Sequence, residues 1–332
     1  MKIALIPATR LSDPTYGRVC RGLARALADQ GLAARAFDPN RPHRVLAFAP
    51  NIIHVHCAGR LPAATRALLA AARKAGSRLV LTFQDFDHPD HPRRTAAQTR
   101  MIAAQVRAAR RVTALTPHLA RAVCAAYPDS ASKMSVVGNG VGRDWLAAAG
   151  SGAGGILAAA RLAPYKGVDL LLWSFRGLLE REPTSSLTIC GGDFSGGHYQ
   201  ELARRLGLGR RVRFLGRIGE RRLRQELSRA RFFVSSSRAE TYGLAALEAM
   251  AAGRAVLAAR TGAARAWTHG REAWLFAPGD LHALERGLLR LWRDPALRRR
   301  LARSGRGFAA AQSWDDRARR YAKIYRRAAG RA

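Results

Sequence analysis

A chain of 332 residues exceeds one ordinary hydrophobic core, and at roughly 150 residues per domain it predicts two lobes. Hydrophobic residues make up 48% of it with no long apolar run, which excludes a disordered chain and a membrane-spanning helix. The formal charge of +34 comes from 57 basic residues, only five of them lysine. It follows either from an arginine-biased composition or from attraction to a polyanion, a phospholipid surface or a nucleic acid.

Both halves are basic, with 22 basic against 8 acidic residues in 1–150 and 35 against 15 in 151–332, so the charge is not a separate tail. Cys20, Cys57, Cys124 and Cys190 lie far apart without a CxxC pair, which predicts reduced thiols and a cytoplasmic protein. The opening "MKIALIPATR" is too short in its apolar part for a signal-peptide core and reads as a first strand.

In chain order, "KIALIPA" predicts a strand and "YGRVCRGLARALADQG" a helix closed by Gly31. The strands "NIIHVHCAG", "SRLVLTFQD", "RRVTALT" and "KMSVVGN" follow, with helices between them. The glycine-rich "WLAAAGSGAGGILAAA" predicts a linker that lets one lobe turn against the other, with a boundary near Ala149. Beyond it, "GGILAAARL", "SSLTICGGD", "RVRFLGR", "ARFFVSSS", "RAVLAAR" and "AWLFAP" repeat the strand-and-helix scheme. The expected domains are 1–149, 150–312 and a last helix over 313–332, capped by Ser313 and carrying Trp314, Ala318, Tyr321 and Tyr325 on one side.

The stretch "SSSRAETYGLAALEAMAAGRAVLAA" places Glu240 between a strand's carboxyl end and a helix N-terminus. That edge is where open α/β sheets bind ligands, and the backbone N–H groups of Tyr242, Gly243 and Leu244 lie beside it. Glu248 follows eight residues later, roughly 10–12 Å along the helix. Two acids so spaced can grip hydroxyls at both ends of a nucleotide sugar. The structural alternative makes Glu240 a helix-dipole acid and Glu248 the partner of an arginine. In "AAARLAPYKGVDLLLWSF", Arg161 and Lys166 share a short loop closed by Pro164 and Gly167. They supply a bidentate and a point-charge cation for a departing diphosphate, or else a solvated pair.

With both pieces in view, the chain resembles the retaining GT-B glycosyltransferases of family 4 along nearly its whole length. The E-x7-E pair Glu240 and Glu248 carries the resemblance, with the R-x4-K pair Arg161 and Lys166 upstream. "LTICGGD", "VRFLGRI" and "LFAPGDLHALERGLLRLWRD" follow the family's strands and turns. The resemblance implies an α/β fold of GT-B type, two Rossmann-like doubly wound lobes facing a central cleft. The N-terminal lobe would take the acceptor, the C-terminal lobe the nucleotide sugar, and the last helix would cross back to the N-terminal lobe.

It further implies Arg161 and Lys166 on the diphosphate, Glu240 near the reacting carbon in an electrostatic and positioning role, and Glu248 on the ribose hydroxyls. Thr241, Tyr242, Gly243 and Leu244 would also meet the donor, and Gly216 and Arg217, in "FLGRIGE", would lie where the base is read. The implied reaction is retaining and metal-independent. It needs no cofactor beyond the nucleotide-diphosphate sugar as co-substrate, and the acceptor would be a glycan or lipid-linked glycan.

Two features depart from the family pattern. The loop "SDPTYGRV" keeps only Gly17 of a Gly-Gly pair, with Tyr16 beside it. Gln84 stands where many members have histidine; it can bond a sugar hydroxyl but cannot act as acid or base. The rival readings are an epimerase, an inactive nucleotide-sugar-binding partner, and a polyanion- or nucleic-acid-binding protein based on the arginine run from Arg204 to Arg231. That run lacks a nucleic-acid-binding motif.

"QDFDHPDHP" offers Asp85, Asp87, His88 and His91 to a metal, but short DxD matches are common by chance. His54 and His56 share one face of a strand and read as core or lobe-interface residues. "RLPAATRALLAAARKAGSR" and "RTAAQTRMIAAQVRAARR" pair apolar faces with arginines, as helices on an anionic membrane surface do and as ordinary packed helices also do.

Overall fold

Every strand expected from the sequence is present, and one more. The computed structural model describes all residues except 8, 9, 14, 58–62, 86–94, 148, 149, 151, 331 and 332 and the side chains of 57 and 64. Two compact units divide the chain, residues 1–140 with 312–332, and residues 141–311. The crossing falls at 140/141, and Ala149, where the boundary was expected, lies outside the described residues.

The first unit begins β1 (Lys2–Ile6), α1 (Tyr16–Asp29), β2 (Ala33–Ala36), α2 (Pro42–Phe48), β3 (Ile52–Cys57) and α3 (Ala63–Lys74). It continues β4 (Arg78–Phe83), α4 (Ala96–Ala108), β5 (Arg111–Ala114), α5 (Pro117–Ala126) and β6 (Met134–Val136). All its strands are parallel, in the order β2-β1-β3-β4-β5-β6. β2, "AARA", is the strand the sequence hides. It lies at the sheet edge, pairs only with β1 and buries only Ala34, so it needs neither β-branched residues nor a hydrophobic run.

α1 buries Val19, Cys20, Leu23, Ala24 and Leu27 at helical spacing and ends where Gly31 takes φ 80°. α3 and α4 turn their apolar sides to the protein, burying Leu68, Leu69 and Ala72, and Ile102 and Val106. Their leucines and isoleucine therefore serve the core, and arginines are left for any anionic surface. Among the described residues no helix is long and apolar enough to cross a membrane.

The second unit opens with α6 (Arg143–Leu146), β7 (Ile156–Ala159), α7 (Val168–Arg181), β8 (Leu187–Cys190), α8 (His198–Arg205), β9 (Val212–Phe214) and α9 (Glu220–Arg229). Then come β10 (Phe232–Ser235), α10 (Leu244–Ala251), β11 (Val256–Ala259), β12 (Trp274–Phe276), α11 (Leu281–Arg293) and α12 (Pro295–Ala310). Its parallel sheet runs β12-β11-β10-β7-β8-β9, so chain order reverses between β7 and β10. That is the doubly wound arrangement of a mononucleotide-binding pair. Phe175 and Leu178 of α7, Phe232 of β10 and Leu284, Leu288 and Leu291 of α11 fill one core on this sheet.

The glycines at 150–155 do not form the free linker expected of them. Gly154 N–H donates to the Arg229 carbonyl at 2.8 Å, and the buried Arg254 guanidinium donates to the Gly150 carbonyl at 3.1 Å. A Cβ on Gly150 would stand 2.1 Å from the Ser228 carbonyl oxygen and one on Gly155 2.2 Å from Ser186 Oγ. These glycines allow close backbone packing within the second unit.

The last helix, α13 (Trp314–Ala328), belongs to the first unit. Ser313 accepts the Asp316 N–H as its N-cap, and Ala318, Tyr321, Ile324, Tyr325 and Ala328 join Ile3, Leu5, Leu23 and Leu27 in one core. Trp314 fills the space that side chains on Gly22 and Gly140 would need, since their Cβ atoms would come within 2.6 and 2.7 Å of its ring.

Candidate functional site

The site grows from two loops that leave neighbouring strands β7 and β10 at the point where the strand order reverses. Ligands of such sheets bind outside the carboxyl ends there. The first loop makes a 3-10 turn over Pro164–Lys166 and ends on Gly167 at φ 62°, a left-handed conformation that favours glycine. A Cβ on Gly167 would meet the Ser236 carbonyl oxygen at 2.3 Å.

The two loops are strapped together. Ser236 Oγ donates to the Lys166 carbonyl at 3.1 Å, and the Arg238 backbone N–H donates to the Tyr165 carbonyl at 2.8 Å. The Arg238 guanidinium donates to the Pro164 carbonyl at 2.9 Å and to both carboxylate oxygens of Asp169 at 2.8 Å. Burial pushes the Asp169 carboxyl up, but the hydrogen bonds from Arg238, those from the backbone N–H groups of Leu170 and Asp169, and the charge of Arg238 together outweigh it and hold the group below its ordinary value. A bidentate arginine thus locks the loop pair in one register.

The strap fixes Lys166 against Glu240. Lys166 Nζ lies 2.5 Å from Glu240 Oε1, which also accepts from Ser237 Oγ at 3.0 Å. The side chains are 11% and 18% exposed, so this pair is largely withdrawn from water yet reachable. Beneath Glu240 runs Gly262 at φ 50°, where a Cβ would stand 3.0 Å from both Glu240 Cβ and the Tyr242 carbonyl oxygen.

α10 begins three residues beyond Thr241. Its N-cap, Gly243 at φ 94°, has open space where a side chain would be, and no side chain caps the helix. The helix then packs against α6, α12, β10 and β11, and Ala246 through Ala251 are buried. That surround explains its small residues. Glu248 is its single acid and is 4% exposed, a carboxylate set in an otherwise apolar helix. Tyr242 is buried, while Thr241 and Leu244 are half-buried.

Arg161 is exposed at the other end of the first loop, its guanidinium 5.6 Å from the Tyr165 ring centre and 5.9 Å from that of Phe194. Lys166 Nζ lies 4.9 Å from the same Tyr165 ring, so one buried tyrosine carries both cations. Gly216 takes φ 62° and accepts the Gly191 N–H at 2.8 Å, which ties the turn after β9 to the turn after β8; Arg217 beside it is exposed.

Gly17 and Gln84 belong to the first unit. Gly17 is buried in the first turn of α1, where a Cβ would stand 2.1 Å from the Leu11 carbonyl oxygen, so packing accounts for it. Gln84, 5% exposed, donates to His56 Nδ1 at 2.7 Å and exchanges bonds with Asn139 at 3.2 and 3.3 Å. His54 bridges Tyr325 Oη, 2.7 Å from Nδ1, and Thr82 Oγ1, 2.5 Å from Nε2. Burial pulls His54 well below its usual pKa, aided by His56, and pulls His56 down to about 3. Both imidazoles are core residues and neutral near pH 7.

Among the described residues no group of three His, Cys, Asp or Glu side chains could hold a metal ion, and Asp87, His88 and His91 lie outside them. Asp85 is buried at the end of β4. The residues that frame the site and that sequence reasoning missed are Tyr165, Asp169, Phe194, Ser237 and Arg238. Only Ser237, three residues before Glu240, and Tyr165, inside the R-x4-K loop, had a local signal.

Two family models match the chain, glycosyl transferases group 1 over residues 151–308 and glycosyltransferase family 4 over residues 34–145. A D-inositol 3-phosphate glycosyltransferase of Streptomyces avermitilis is 36% identical over 179 residues, 51% of this chain and 39% of the relative. Its counterpart in Streptomyces scabiei is 31% identical over 263 residues, 73% of this chain and 58% of the relative. A mannosylfructose-phosphate synthase of Agrobacterium fabrum is 35% identical over 159 residues, 45% of this chain and 35% of the relative. The chain thus matches between 35% and 58% of the length of these curated relatives.

Among solved structures, HepE of Anabaena in complex with UDP and glucose superposes with a TM-score of 0.75 at 18% identity, covering 98% of this chain and 99% of that one. Sucrose-phosphate synthase from Thermosynechococcus elongatus gives 0.78 at 19% identity, covering 98% of each. These likenesses establish the two-lobed α/β fold of GT-B type. With family models falling in turn on its two halves, the chain belongs to the family 4, group 1 glycosyltransferases.

Proposed function

We propose that this protein transfers a sugar from a nucleotide-diphosphate sugar to an acceptor hydroxyl, with retention of configuration and without a metal ion. The observation that carries the proposal is the Lys166–Glu240 pair, 2.5 Å apart, at the reversal point of the second sheet beside the uncapped end of α10.

In this reading the diphosphate lies against Lys166 and Arg161. Lysine has three N–H donors, so Lys166 can keep Glu240 and still donate to a phosphate oxygen. As the glycosidic bond breaks, negative charge grows on the leaving phosphate and is met by two cations and the positive end of α10. Positive charge grows on the anomeric carbon and is met by Glu240, which acts electrostatically, as carboxylates do beside oxocarbenium ions. Glu248, eight residues beyond Glu240 and buried, takes the ribose hydroxyls. Thr241, Tyr242, Gly243 and Leu244 shape the wall between, and Gly216 and Arg217 complete the donor contacts within the second unit.

The crystal structures of HepE hold UDP and UDP-glucose, which supports a nucleotide-sugar donor. The names of the relatives support acceptors that are small phosphorylated polyols or sugars, beside the glycan or lipid-linked glycan implied by family resemblance. The test is to offer UDP-, GDP- and ADP-sugars with inositol phosphate, fructose phosphate and lipid-linked glycan acceptors in EDTA. Product anomers are then read by NMR. Turnover in EDTA with the donor's anomeric configuration supports the proposal. Inversion or a metal requirement contradicts that part of it, and an epimerised donor without transfer contradicts the whole.

A further inference from the structure

Apart from Arg217, the arginine run from Arg204 to Arg231 takes no part in the proposed donor site, and Arg210, Arg213 and Arg229 gather at the opposite end of the second sheet. A cavity of about 310 Å³ opens there, at the amino ends of β7, β8 and β9, lined by Arg210, Arg213 and Arg229. Its volume is at the small end of the range for ligand pockets, about 300–1,000 Å³.

Charge decides what such a cavity takes. Its one acid, Glu226, is buried and already neutralised, with Arg222 at 2.7 Å and Arg213 at 3.9 Å. Arg210 and Arg229 form no ion pair with any carboxylate among the described residues. Two unspent guanidiniums and a third shared one therefore line a concave wall that also carries Ser186 and Thr188. The wall is kept close by Gly154 and Gly155, whose Cβ atoms would come within 2.6 Å of the Arg229 carbonyl oxygen and 2.2 Å of Ser186 Oγ. Guanidinium forks match phosphate oxygens bidentately, and hydroxyls supply the remaining donors.

We propose that this cavity is a second anion site, separate from the donor site, which binds the phosphate groups of a small phosphorylated molecule. Its concavity and size select a single compact group over a polymer. The site does not depend on the donor-site assignment, because a full strand length of β7 separates the two.

Calorimetric titration of the full chain with inorganic pyrophosphate tests it, comparing wild type, the double variant R210Q/R229Q and Lys166→Ala. Arg210 and Arg229 are exposed, so the double variant should keep the wild-type melting temperature. The expected result is a pyrophosphate-binding step, weakened by raised salt, that survives Lys166→Ala and loses about tenfold or more in affinity in R210Q/R229Q. An isotherm unchanged in R210Q/R229Q, or abolished by Lys166→Ala alone, would overturn the proposal. So would silence toward pyrophosphate with binding to phosphatidylglycerol vesicles or polyuridylate that the double variant loses, which would make the run a polyanion surface.

Discussion

In the proposed reaction the chemistry turns on Lys166 and Glu240, and their pairing makes distinct predictions. Lys166→Ala removes a donor from the leaving phosphate, and loss of one such preorganised group costs about 10²–10³ in kcat. The expected result is that drop with a smaller change in KM, and partial recovery in Lys166→Arg, measured by steady-state kinetics. Gly167→Ala acts through the backbone instead. At φ 62° and with a Cβ 2.3 Å from the Ser236 carbonyl oxygen, alanine must displace one of the two loops. A loss of about 1–3 kcal/mol of stability is expected with the loss of activity, seen as a lower denaturation midpoint. Unchanged stability would show that the two loops are not held as described.

At the scale of elements, α13 is tied to the first sheet by polar groups in its core. Tyr325 Oη meets His54 Nδ1 at 2.7 Å, and Tyr321 Oη lies 3.3 Å from Thr82 Oγ1. Tyr325→Phe leaves a buried imidazole nitrogen without this partner and is expected to cost about 1–3 kcal/mol by urea denaturation. The same histidines set a pH dependence. His56 has a folded value of about 3 against 6.5 for a free imidazole. Between those values the unfolded chain binds a proton that the folded one refuses. Stability is therefore full above about pH 6.5 and falls as pH drops toward 3, by up to about 1.4 kcal/mol per pH unit for each such histidine. His54, shifted the same way, adds to the slope. Melting temperature followed from pH 7 to pH 4.5 checks it, and a flat profile would place these imidazoles in water.

Elements also show what the sequence could and could not disclose. Strands such as β1, β4, β7 and β11 were legible because they bury continuous apolar runs, and α1 and α10 because Gly31 and Gly253 end them. β2 was not, since an edge strand that buries one alanine leaves no pattern. The glycines at 150–155 read as a linker because composition cannot distinguish glycine that frees the backbone from glycine that lets it pack. At the candidate site, spacing singled out Glu240, Glu248, Arg161 and Lys166 but left a structural alternative open, and their proposed roles came from the family resemblance; the structure brings Lys166 and Glu240 together. The Arg238–Asp169 strap and the Phe194 ring over Arg161 were not legible, because they join residues distant along the chain.

For the whole molecule, the two units each have their own core, and the proposed donor-binding residues Arg161, Lys166, Glu240 and Glu248 all reside in the second. A nucleoside diphosphate held by them should stabilise that unit, by about 2.7 kcal/mol at a hundred times its Kd. Hydrogen exchange with and without the nucleotide should show protection rising in β7, β10 and α10. The high charge predicts, separately, weak binding to polyanions that vanishes with salt, whether or not the donor site is filled.

The most direct test of the account is titration calorimetry of wild type, Lys166→Ala and Glu248→Ala with UDP, GDP and ADP in EDTA. One nucleotide should bind the wild type selectively, Glu248→Ala should weaken it through the ribose, and Lys166→Ala should weaken it through the diphosphate. No selective binding, or binding indifferent to both substitutions, would contradict the assignment of a donor site to these loops.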